Sequence, residues 1–121
     1  MECREIIRLL VLSEISDDFE EPQHIHERVS DRGRAAGLAI ETAHVENALV
    51  DLLRLGLAKA YRLSPSAPET EVFGPLCLEA LRECYFLITA RGLSTLADWR
   101  KEWWPFDDEG DFLPDWSPIA H

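Results

Sequence analysis

The stretch Thr42-Ala-His-Val-Glu-Asn-Ala-Leu-Val-Asp-Leu-Leu-Arg-Leu-Gly-Leu57 decides how this chain is read. Val45, Ala48, Leu49 and Leu52 recur at helical spacing with Leu53 beside them, so one helix face is apolar. His44, Asn47, Asp51 and Arg54 fall on the opposite face. Thr42 stands where a hydroxyl can accept from an early unpaired N–H, and Gly56 where a left-handed residue ends a helix. Leu57 to Leu63 sets Leu57, Lys59, Tyr61 and Leu63 against Ala58, Ala60 and Arg62, an alternation that predicts a strand. A second stretch, Tyr85-Phe-Leu-Ile-Thr-Ala-Arg-Gly92, predicts another strand over 85–88 and a helix capped by Thr89. That helix runs to about Trp103, with Leu93, Leu96, Ala97 and Trp103 or Trp104 as its inner face.

Upstream, residues 2–15 predict a helix. Ile6, Ile7, Leu9, Leu10 and Val11 cover so much of its circumference that it is either central or covered by a partner subunit. Pro22 suits the first turn of a second helix, with Ile25 and Val29 as its apolar edge and a stop near Asp31 or Arg32, before Gly33 and Gly37. Ser64-Pro-Ser-Ala-Pro68 reads as a loop. Residues 76–84 read as a short helix whose inner face carries Cys77, Ala80, Leu81 and Cys84, both cysteines being core residues.

A chain of 121 residues is one domain by size. We divide it into a folded domain over 1–104 and an acidic, aromatic tail over 105–121, packed on the domain or on a partner. There are 23 acidic residues against 12 basic ones, a formal charge of -11. Residues 98–121 hold seven acids against two bases, a net -5. Phosphate binding gains its free energy from counterions displaced by Lys and Arg, so this balance opposes nucleic acid at long range, while a local basic patch can still win. Cys3, Cys77 and Cys84 are odd in number and lack metal-ligand spacing. No apolar run approaches the ~20 residues of a membrane span, and Arg8 interrupts the apolar run Ile6–Leu12. A reduced, cytoplasmic protein follows as the expectation.

Helix, helix, helix, strand, strand, helix, with these motifs, resembles the winged helix-turn-helix superfamily, in particular PadR-like and MarR-like bacterial regulators. Their third helix and turn typically read Thr-x-x-Val-x-x-x-Leu-x-x-Leu-x-x-x-Gly-Leu, positions held here by Thr42, Val45, Leu49, Leu52, Gly56 and Leu57. Their second wing strand commonly reads Tyr-x-Leu-Thr-x-x-Gly; here one extra residue precedes Thr89. The resemblance covers about residues 5–100 and implies a mainly α fold with a small antiparallel β-wing. It further implies a dimer that binds duplex DNA at a near-palindromic site, without catalysis or cofactor. Two departures stand out. The 21 residues from 64 to 84 separate the strands, where a short hairpin is usual, and the third helix carries Glu41, Glu46 and Asp51 near the expected phosphates.

The DNA-contact residues implied are Arg28, Arg32 and Arg34 around the second helix, Thr42, His44 and Asn47 on the third, and Lys59 and Arg62 in the wing. Cations there would flank the duplex and touch phosphates, Asn47 would meet an adenine edge, and His44 would reach a phosphate. The competing reading makes each arginine a solvated charge paired with an acid such as Glu27 or Asp31. The second functional reading is a winged-helix interaction module that has lost DNA binding and contacts protein through acidic, aromatic surface. Trp99, Trp103, Trp104, Phe106, Phe112 and Trp116 would pack on the domain's own core or across a dimer interface, or dock onto a protein partner. A sharper version has the tail dock on a basic surface of its own or another subunit and compete with DNA. His24 and His26 are two apart, which points them to different sides of a helix and argues against a metal. No Ser/His/Asp order, Gly-rich phosphate loop or paired apolar carboxylates point to an enzyme.

Overall fold

The computed structural model describes residues 3–64, 67–74, 76–102 and 106. Its elements are α1 (Cys3–Glu14), α2 (Pro22–Ala35), α3 (Thr42–Arg54), β1 (Ala58–Ser64), β2 (Ala67–Val72), α4 (Leu78–Arg82), β3 (Tyr85–Ile88) and α5 (Ala90–Glu102). Helix α1 is the central one. Ile6, Leu9, Leu10, Val11 and Leu12 are fully buried, and α2, α3 and α5 all pack on it.

Helices α2 and α3 end in the same way. After α3, Gly56 takes φ 74, Leu57 N–H donates to Leu52 C=O at 2.9 Å and Gly56 N–H to Leu53 C=O at 3.1 Å. After α2, Gly37 takes φ 77, and Leu38 N–H donates to Gly33 C=O at 2.8 Å. Both are Schellman ends, in which a left-handed glycine lets the next N–H satisfy an orphan carbonyl. Helix α2 therefore outlasts the expected stop near Asp31 or Arg32. Gly33 is no breaker but a close approach: a Cβ there would stand 2.5 Å from Ile40 Cδ1. The N-cap of α3 is Glu41 rather than Thr42, with Glu41 N–H donating to His44 Nδ1 at 3.0 Å as part of a capping box.

The sheet has three antiparallel strands in the order β2-β1-β3. Ala58 pairs with Ile88 and Ala60 with Phe86 across β1 and β3, and Ala58, Ala60, Phe86 and Ile88 are buried. Strand β2, on the outer side of β1, corrects the reading of 64–68 as a loop: β1 runs to Ser64 and β2 starts at Ala67, with Tyr61 paired to Glu71 and Arg62 to Thr70. Pro68, Glu69 and Glu71 disguised it, and these are residue types suited to an edge strand. On the other side, Glu20 bridges Phe86, with N–H···O=C distances of 3.0 and 2.8 Å.

The Thr-x-x-Gly motif is a lock between α3 and α5. Thr89 Oγ1 accepts from Gly92 N–H at 2.9 Å and donates to Gly56 C=O at 2.8 Å. Gly92 lies so close that a Cβ would meet Leu57 O at 2.2 Å. This pins the inner face of α5 to Gly92 and Leu96, with Trp99 half-buried against the core. Leu93 and Ala97, expected inside, are exposed. Of the expected core cysteines only Cys84 is buried, and burial pushes its thiol pKa up; Cys77 is exposed at the start of the five-residue α4. Phe106 is buried on the domain's own core. Trp103, Trp104, Phe112 and Trp116 lie outside the described residues. Among the described residues no helix is long and apolar enough to cross a membrane.

Candidate nucleic-acid interface

Helix α3 buries Val45, Ala48, Leu49 and Leu52 and turns Ala43, Asn47, Val50 and Arg54 outward, a stripe at helical spacing. Thr42 and His44 are exposed at its N-terminal end. Because His44 Nδ1 accepts from the Glu41 N–H, its ring hydrogen sits on Nε2. Thr42, His44 and Asn47 are thus all exposed, and His44 and Asn47 line one groove.

The acids of α3 lie elsewhere than expected. Glu46 is buried and takes Arg82 of α4 at 2.7 Å to Oε2 and 3.3 Å to Oε1. Asp51, placed by the sequence on the polar outer face, is buried against α1. Its Oδ2 accepts from Arg4 Nη2 at 2.9 Å and Arg8 Nη2 at 2.6 Å, and its Oδ1 from Arg54 Nη2 at 2.8 Å. Burial raises the Asp51 pKa, but hydrogen bonds and charge from Arg8 and Arg4 outweigh it and hold the carboxyl below its usual value. Arg4 and Arg8 are one turn apart on α1. Arg8, interrupting an apolar run, is the sequence signal that an acid must face it.

The predicted cations divide. Arg34 pairs loosely with Asp31 at 3.6 Å, and both are largely exposed. Arg28 lies 3.6 Å from Glu14 and donates to His24 Nε2 at 3.2 Å. Arg32 is turned into the molecule, 3.2 Å from Glu14 with its guanidinium 4.3 Å over the Phe106 ring. In the sheet, Lys59 pairs with Glu71 at 3.4 Å, and Arg62 is exposed beside Thr70. The paired-charge reading thus holds for several of them, though the main acid is Glu14 rather than Glu27. His24 and His26 diverge, His24 to Glu20 at 2.6 Å and His26 to the Ile40 carbonyl at 3.1 Å.

Beside the α3 stripe runs an open groove of about 700 Å³ between α1, the 37–40 turn and α3. Ile7, Leu38, Ile40, Ala48 and Val50 form its apolar floor. Arg4, His44, Asn47 and Asp51 edge it.

Helix α3 preceded by α2 and followed by strands in one small antiparallel sheet is the arrangement that the solved structures of PadR-like regulators share with this chain. The fold is a winged helix. Bacillus subtilis PadR, solved in complex with operator DNA, matches with a TM-score of 0.56 at 12% identity over 85% of this chain and 52% of its own. This chain thus spans about half of that protein's length. A PadR-like transcription factor from Bacteroides fragilis matches with a TM-score of 0.57 at 14% identity, covering 83% of this chain and 82% of that one. A PadR-like transcriptional regulator from Bacillus cereus matches with a TM-score of 0.58 at 15% identity, covering 82% of each. No family model and no curated protein matches the sequence. In this winged helix strand β2, which forms a hairpin with β1, and helix α4 occupy the long segment between the paired strands β1 and β3.

Proposed function

We propose that this winged helix is a transcription regulator that reads duplex DNA with the outward stripe of α3. The observation that carries the reading is the character of that stripe. Both acids within α3 are internal and paired with arginine, so Ala43, His44, Asn47, Val50 and Arg54 present no carboxylate to a phosphate backbone. Asn47 has the chemistry to bond an adenine edge, and Val50 that to touch a thymine methyl. Arg28, Arg34, Lys59 and Arg62 serve as phosphate contacts, and Arg54 joins them. Arg32 is left out of that set because Glu14 and the Phe106 ring engage it. That a protein with the same fold was solved with operator DNA supports duplex DNA as the partner. Two copies on a near-palindromic site belong to the proposal, with the exposed Leu93 on α5 offering apolar surface for pairing.

The rival interaction-module reading drew on the acidic, aromatic tail and on Glu41, Glu46 and Asp51; of these three acids Glu46 and Asp51 are internal, while Glu41 is exposed at the N-cap of α3. The test is fluorescence anisotropy of a labelled mixed-sequence duplex at about 30 and about 150 mM salt. Binding that weakens steeply with salt is expected from counterion release. Folded protein that leaves the duplex free at the lower salt would refute the proposal.

A further inference from the structure

Three guanidinium groups, those of Arg4, Arg8 and Arg54, converge on the single carboxylate of Asp51, so the cluster carries a net charge of about +2 by formal charges. Two of the three are open to solvent, with Arg4 64% and Arg54 68% exposed. The cluster borders the apolar groove of α1 and α3. A surface of this kind suits a ligand that is both anionic and aromatic.

The chain itself supplies one. Residues 107–121 carry Asp107, Asp108, Glu109, Asp111 and Asp115 with no Lys or Arg, and among them stand Phe112 and Trp116. This segment leaves the described fold at Phe106, whose ring lies under Arg32 near the end of α2. Gly37, at the edge of the groove, follows closely in the chain. Fifteen residues extend to roughly 50 Å, ample for the distance across a domain of this size.

We infer that residues 107–121 dock into the groove between α1, the 37–40 turn and α3, with Phe112 and Trp116 on its apolar floor and the carboxylates against Arg4 and Arg54. The docking stands on the groove, the arginines and the tail alone. Its consequence, that the tail screens His44, Asn47 and Val50 from DNA, rests on the function proposed above. Aromatic burial supplies affinity, while the charges orient the segment and make docking sensitive to salt. An intrachain partner also binds at high effective concentration, so modest contacts suffice.

The test uses the full chain in three forms: unchanged, Phe112→Ala with Trp116→Ala, and Arg4→Glu. Arg4 lies outside the proposed DNA contacts. Backbone amide shifts are compared first, independently of DNA. Docking predicts that both variants shift the amides of Leu38, Asn47, Val50 and Asp51, the aromatic variant doing so without altering the groove itself. It also predicts that the groove amides of the unchanged chain are insensitive to dilution. Superimposable groove amides in the unchanged chain and the aromatic variant would overturn the inference, and so would shifts that vanish on dilution, since those would mean a second copy. Duplex affinity is measured next. A tail docked nine-tenths of the time masks the site about tenfold, so the aromatic variant is expected to bind DNA about tenfold more tightly. Groove shifts without any duplex binding, in any form, would uphold the docking and refute the DNA reading.

Discussion

At the residue scale, Asp51 carries more of the structure than its polar spacing suggests. One buried carboxylate satisfies arginines from α1 and α3, tying the central helix to the proposed reading helix. Hydrogen bonds between charged groups contribute about 2 kcal/mol each, but Arg4 and Arg54 can return to water when Asp51 is lost. Asp51→Asn is therefore expected to cost about 2 kcal/mol in all and to lower Tm by roughly 10 °C at neutral pH. The pH dependence has a definite sign. The folded-state pKa of Asp51 lies below its unfolded value, so its contribution is present above about pH 4 and lost as pH falls through the folded pKa. Melts of the two proteins should converge as pH drops below about 4, and a gap that persists would refute the assignment. Gly92 is the second such residue. Its missing Cβ would collide with the Leu57 carbonyl, a backbone atom that cannot swing away, so Gly92→Ala is expected to cost about 3 kcal/mol in denaturant unfolding. Gly37→Ala, at a left-handed position with open space, should cost about 1 kcal/mol from backbone conformation alone.

At the scale of elements, helices and their ends were legible where periodicity and glycine agreed. Val45, Ala48, Leu49, Leu52 and Gly56 placed α3, and Thr89 placed the start of α5. What escaped the sequence was each feature settled by a distant partner. Strand β2 has Pro68 and two glutamates because it is an edge, a role visible only once β1 is known to sit between β2 and β3. Leu93 looks like core by hydropathy, but the Gly92 contact rotates α5 so that it faces out. Glu46 and Asp51 look like surface acids until Arg82, Arg4 and Arg8 are brought to them. The candidate site was half legible for the same reason: the outward Thr42, His44 and Asn47 follow from the helix, whereas the engagement of Arg32 depends on α1 and Phe106. The segment between the paired strands is likewise a brace as well as a connection. It ends in α4, whose Leu81 is fully buried and whose Arg82 neutralises the buried Glu46 of α3. Arg82→Ala strands that carboxylate, while Glu46→Gln leaves a neutral group able to accept from Arg82. The first is expected to lower Tm more than the second, and the pair of changes to be markedly non-additive in a double-mutant cycle.

At the scale of the whole molecule, the question is how a chain of charge -11 can approach a polyanion. Nearly half of the excess, a net -5, lies in residues 98–121, beyond most of the folded elements. Glu46 and Asp51 of α3 are internal, leaving Glu41 exposed at its N-cap, and Glu14 is engaged by Arg28 and Arg32. Net charge sets the long-range field, which salt screens within about 8 Å at physiological strength, while contact is decided by the groups at the surface. If Arg28, Arg34, Arg54, Lys59 and Arg62 each displace one counterion, the log–log slope of affinity against salt is about -4.5 per chain. Between about 30 and about 150 mM salt that slope weakens binding by roughly three orders of magnitude. Each cation contributes a slope of about 0.9, so Arg34→Gln and Arg62→Gln should each flatten the line by about that amount while leaving the preference among duplex sequences unchanged. Asn47→Ala should do the reverse, keeping the slope and reducing discrimination at one base pair by about 1–3 kcal/mol. Slopes indifferent to Arg34 and Arg62 would place the phosphate surface elsewhere on the molecule, and an Asn47 variant with unchanged sequence preference would remove α3 from the role of reader.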